Sequence, residues 1–87
     1  MVDPIVAMVD GYEARTDGSD LEIRRSNGVV IGQGRIGFVR GSFRVGDYSG
    51  AMDEKIVQAV RELLEGHGSD IVARWIAAER QDAAVLN

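Results

Sequence analysis

An 87-residue chain with 45% hydrophobic and 28% charged residues, one proline and no cysteine has the composition of a single small globular domain, not of a disordered tail or a disulfide-stapled miniprotein. Its formal charge of −4 argues against bulk attraction to nucleic acid or anionic lipid. The longest apolar run, Ile5 to Val9, falls far short of the roughly 20 residues a bilayer span needs, and Asp3 spoils the basic start of a signal peptide; neither membrane insertion nor export is expected, and a cytoplasmic setting is the default.

The charge is laid out in blocks. Residues 1–22 carry a net charge of −5, and residues 47–87 carry −4. Between them, residues 23–46 hold Arg24, Arg25, Arg35, Arg40 and Arg44 and no acid at all.

In chain order, the first half is punctuated by turn dipeptides. Asp17-Gly18 and Asn27-Gly28 suit two-residue hairpin loops, which need positive φ at both central positions. The first turn then sets Arg15 against Asp20, Ala14 against Leu21, Glu13 against Glu22 and Tyr12 against Ile23. The second sets Arg24 against Ile31, Ile23 against Gly32, Glu22 against Gln33 and Leu21 against Gly34. A third turn at Arg40-Gly41 would oppose Phe38 to Phe43 and Ile36 to Val45. Asp10-Gly11 is open to two readings, a further turn or a bulge.

The fold expected is α+β and two-layered: an antiparallel meander of three to four strands followed by two helices on one face. The strands run from Ile5 to Arg15, Asp20 to Ser26, Val29 to Val39 and Ser42 to Val45. Alternation with period two places Met8, Tyr12, Ala14, Leu21, Ile23, Val30, Ile36 and Phe38 on the core face.

After Gly46 the apolar period becomes helical. Met52, Ile56, Val60, Leu63 and Leu64 predict helix one over 49–66, stopped by a left-handed Gly66. Ser69 as N-cap, with Ile71, Val72, Trp75 and Ile76, predicts helix two over 69–84. The expected domain is thus 1–87, with the meander in 1–46. Both helices are expected to approach the sheet closely over Gly32 and Gly34.

The same register leaves Glu13, Arg15, Glu22, Arg24, Val29, Ile31, Gln33, Arg35, Val39 and Arg44 on a face that two helices cannot also cover. Of these, Arg24, Val29, Ile31, Arg35, Val39 and Arg44 form the candidate partner-binding surface, because a guanidinium pairs with carboxylates while its stem covers apolar area. The bland alternative is that the arginines balance neighbouring acids and the apolar residues are ordinary strand formers. The Ile5 to Val9 run, apolar on both sides, is expected to be closed either by Val85-Leu86 or by a partner or second copy.

No motif for chemistry is complete in this sequence. Residues 34–39 resemble the RNA-binding strand of the RNA recognition motif family only at Gly37-Phe38-Val39. Ile36 and Gly41 stand where aromatics belong, and Phe38 faces inward. Gly32, Gly34 and Gly37 lack the Lys-Ser/Thr pair of a phosphate cradle. His67 is the lone histidine, Asp53-Glu54 and Glu62-Glu65 read as a helix start and a solvated face, and Ser19, Ser26, Ser42, Ser49 and Ser69 fall at turns or caps. No catalytic residue, cofactor or metal site is expected, and the chain is not expected to be an enzyme.

The expectation is an intracellular protein-interaction module of adaptor or inhibitor type, binding a protein partner or forming a homodimer. Nucleic-acid contact through the arginine strands is one alternative. Another is an inhibitor whose acids, Asp53, Glu54, Glu62, Glu65, Asp70, Glu79 and Asp82, imitate nucleic acid.

Overall fold

The side of the sheet to which each N-terminal residue points is decided at Asp10-Gly11. The computed structural model describes residues 3–86, and side-chain surroundings for residues 3–78. Among these, five strands form one antiparallel meander in the order β1 (Ile5–Val9), β2 (Tyr12–Thr16), β3 (Asp20–Arg25), β4 (Val30–Val39) and β5 (Ser42–Gly50). Two helices follow, α1 (Glu54–Gly66) and α2 (Gly68–Leu86). The architecture is α+β as expected, with five strands where three to four were predicted.

The additional strand arises because Asp10 (φ 42°) and Gly11 (φ 87°) both adopt left-handed backbone and close a two-residue hairpin. Val9 therefore stands opposite Tyr12, and Ala7 opposite Ala14. This puts Ile5, Ala7 and Val9 on the core side and turns Val6 and Met8 outward. Met8, expected in the core, is 67% exposed.

At Asp17-Gly18 the pairing is offset by two residues from expectation: Ala14 faces Ile23, Glu13 faces Arg24 and Arg15 faces Glu22. Side chains close this loop. The Asp17 carboxylate accepts from the backbone N–H of Ser19 (2.9 Å) and Asp20 (2.8 Å), and Thr16 Oγ1 accepts from Gly18 N–H at 3.0 Å. Only Gly18 needs positive φ, so the two-residue turn is not formed. The observed register also removes the clash of Glu13 with Glu22 that the expected one implied.

At Asn27-Gly28, again only the glycine is left-handed. Gly28 N–H donates to Arg25 O, and Arg25 N–H to Val29 O, each at 2.9 Å, enclosing a three-residue loop. Leu21, Glu22 and Ile23 keep their expected partners, but Arg24 meets Val30, leaving Ile31 as the extra residue of a bulge. Ile31 consequently packs against the core, while Val30 is 40% exposed, the reverse of the expected sides.

Arg40-Gly41 forms the anticipated turn, with φ of 54° and 79°, and Phe38 faces Phe43. β5 then continues past Val45 through an irregularity at Asp47 (φ 52°). Ser49 belongs to that strand, so α1 starts at Glu54 instead, capped by Asp53, whose Oδ1 accepts from Ile56 N–H at 2.8 Å. The helix stops at a C-cap His67 (φ −125°) rather than at a left-handed Gly66. α2 begins one residue further on, placing Ser69 inside its first turn instead of at the cap.

The core joins Ile5, Val9, Ala14, Leu21, Ile23 and Ile36 of the sheet to Ile56, Ala59 and Leu63 of α1 and Ile71 of α2. α1 lies over β1 and β2. The space above Gly32 and Gly34 is filled by Tyr48 of β5 and not by a helix: a Cβ on Gly32 would stand 2.7 Å from Tyr48 Cζ. Trp75 of α2 meets Phe38 edge-on, ring centroids 6.5 Å apart, and Phe38 in turn packs on Phe43 at 5.0 Å.

Candidate functional site

The outer face of the sheet divides into two zones of different electrostatic character. On β2 and β3, Glu13 opposes Arg24 and Arg15 opposes Glu22, so charges alternate in both directions. Arg15 Nε lies 3.4 Å from Glu13 Oε2, and Arg24 Nε contacts Glu22 Oε1. All four side chains are half-buried against one another. This zone is neutral: Arg24 Nε donates to Glu22, while the buried Arg15 Nε is ion-paired with Glu13 but makes no hydrogen bond among the described residues.

On β4 and β5 the arrangement is open. Arg35, Val39 and Arg44 are exposed, Val39 to 49%. Gly37 lies opposite Arg44, with Arg35 and Val39 two residues to either side on the same face of β4. A Cβ added at Gly37 would meet nothing within 4 Å. Among the described residues, ion pairs are confined to Glu13–Arg15 and Glu22–Arg24. Arg35 has Asp20 as its cross-strand neighbour, and Arg44 has a glycine.

Of the six candidate residues, then, Arg35, Val39 and Arg44 come together. Arg24 sits in the neutral zone, and Val29 is 53% exposed beside the β3–β4 loop. Ile31 turns to the core. Met8 and Val30 are outward residues that sequence reasoning assigned to the interior. The signal for Met8 was the Asp10-Gly11 dipeptide read as a turn; for Val30 no local signal announced the bulge. Val85 and Leu86, considered as a cover for β1, lie outside the residues whose side chains are described, as do Glu79 and Asp82.

A second concavity, an open polar cleft of about 470 Å³, lies where the β1–β2 and β3–β4 turns meet the start of α1. Tyr12 OH donates to Asp53 Oδ2 there at 3.1 Å, beside Arg25 and Lys55. The hydrogen bond to Asp53 raises the Tyr12 pKa above its ordinary value, with the Asp53 charge and burial adding to it. The Ile56 N–H holds Asp53 below the usual carboxylate range, assisted by Tyr12. Both groups move away from neutrality, opposite to what proton transfer near pH 7 requires. Among the described residues no three His, Asp or Glu side chains are gathered as metal ligands would be, and no helix is long and apolar enough to cross a membrane.

The chain matches no family model, and no characterised protein or solved structure matches it.

Proposed function

We propose that this chain is a protein-interaction module of adaptor or inhibitor type that binds an acidic partner surface through the outer face of the β4–β5 hairpin. The observation that carries this reading is the open position at Gly37, ringed by Arg35, Val39 and Arg44, on a face that neither helix covers. A strand glycine with free space above it lets a partner backbone approach closely. The two guanidinium groups then supply planar forks for carboxylates, and Val39 supplies apolar area that excludes water from those pairs.

The test is capture of partners from the native host by the wild-type chain and by Arg35→Ala and Arg44→Ala variants, followed by mass spectrometry. Loss of a captured acidic protein is expected, with a stability change within about 0.5 kcal/mol, as for surface substitutions. If both variants retain every interaction, the β4–β5 face is not the site.

A second reading has its own observation: Arg40 sits exposed at the tip of the hairpin that carries Arg35 and Arg44, and a two-stranded ribbon fits a DNA major groove. It predicts that the logarithm of duplex affinity falls with log salt, with a slope of about −0.9 per phosphate contacted. Binding insensitive to salt removes it.

A further inference from the structure

We infer that a second copy of this chain adds to the sheet along the free edge of β1, across a twofold axis, making one continuous ten-stranded sheet. Among the described residues, β1 ends the strand order and pairs with β2 alone. Among the described residues, no backbone hydrogen bond outside the strand ladders reaches Ile5–Val9. Its outward N–H and C=O groups are thus a template for another strand.

The two edges of the sheet are unlike. β5 carries Arg44, Gly46 and a pairing irregularity at left-handed Asp47, features that obstruct strand addition. β1 is Ile-Val-Ala-Met-Val, without a charge, glycine, proline or bulge. Among the described residues, only β1 offers an unobstructed edge.

The occupant follows from symmetry and charge. Across a twofold axis normal to the sheet, residues that face one another must point to the same side. Centred on Ala7, the pairing sets Val6 against Met8 of the second copy and Ile5 against its Val9. Val6 and Met8 from both copies then form one apolar cluster on the outer face, covering the Met8 side chain that is 67% exposed in one copy. No charge lies within Ile5–Val9 to oppose this register.

The helix above supplies a second complementarity. Val57, Val60 and Leu64 of α1 line a groove with Phe43 of β5. At about 100° per residue, Lys55 and Glu62 fall on the opposite flank of α1, the one turned away from Phe43 and β5. They are seven residues apart, so an antiparallel copy of α1 brings each Lys55 toward Glu62 of the other chain. An isologous contact repeats that pair twice.

This inference does not depend on the Arg35 and Arg44 reading, and its test separates the two. Sedimentation equilibrium of the full chain is expected to show a monomer–dimer equilibrium. Met8→Lys, at an exposed position, should weaken it by roughly tenfold or more while the monomer stays folded, since like charges are then juxtaposed in an apolar contact. Lys55→Glu should weaken it as well, and the double variant Lys55→Glu with Glu62→Lys should restore it. A glutamate in the first turn suits the helix dipole but adds to the charges of Asp53 and Glu54, so circular dichroism of the single variant, expected to match the wild type, separates loss of fold from loss of contact. Arg35→Ala and Arg44→Ala should leave the dimer intact. A wild-type chain that is monomeric at about 1 mM, or a dimer unaffected by Met8→Lys and Lys55→Glu, overturns the inference.

Discussion

Gly32→Ala tests whether Tyr48, rather than a helix, closes the sheet above β4. The new Cβ would stand 2.7 Å from Tyr48 Cζ, and nearer still to the hydroxyl, whereas ordinary contact begins at 3.4 Å. Cζ alone must withdraw by about 0.7 Å and the hydroxyl by more, which disturbs the hydrogen bond that Tyr48 OH donates to Ala51 O. Overpacking of this kind costs about 1–3 kcal/mol. Against it stands a gain of about 0.5–1 kcal/mol from replacing glycine within a strand. The net loss, up to about 2.5 kcal/mol, corresponds to a fall in melting temperature of up to about 20 °C for a domain of this size. In a Tyr48→Ala background the obstruction is gone and only the gain remains, so the same substitution should be neutral or stabilising. Differential scanning calorimetry of the four chains reads this change of sign. An equal loss in both backgrounds would refute the packing argument.

Two further outcomes are expected. Arg24→Glu places three carboxylates together on β2 and β3 and should cost roughly 1–2 kcal/mol, from a few tenths to 1 per cross-strand pair; adding Glu13→Arg should recover part of it, and a double variant no better than the sum of the singles would mean that positions 13 and 24 are not opposed. Burial works against the charge on Asp17, but the backbone and hydroxyl donors of Asp20 and Ser19 outweigh it, so Asp17 joins Asp53 below the usual carboxylate range. Their stabilisation is then complete above the unfolded value of about 3.9 and is lost as pH falls through the folded values. Melting temperature should hold between about pH 5 and pH 7 and drop below about pH 4. Asp17→Asn and Asp53→Asn keep an acceptor and should flatten that acid limb.

The core side of β2 and β3 was legible from alternation alone, because an offset of two residues leaves every side chain on its original face. Ala14, Leu21 and Ile23 are buried under either register. The partners across the strands were not legible from the turn dipeptide, since Asp17 closes its loop by side-chain acceptance instead of by positive φ. A signal for the true register was nevertheless present: only the observed pairing opposes both Glu13 and Glu22 to arginines. Ile31 and Val30 were misplaced for a different reason, a one-residue bulge, which inverts sides and has no marker in composition. The open zone around Gly37 was half visible. Arg35, Val39 and Arg44 follow from the Arg40-Gly41 turn, but the internal compensation of Arg24 depends on the β2–β3 partners.

Trp75 is the sole tryptophan of the chain, and its indole rests against Phe38 beside the β4–β5 hairpin. The molecule thus carries its own optical reporter at the seam between its last helix and that hairpin. Emission from this indole will register any event that lifts α2 from the hairpin, yet stay silent when a ligand merely occupies the opposite surface. A spectroscopist can therefore tell rearrangement from simple docking without attaching a dye.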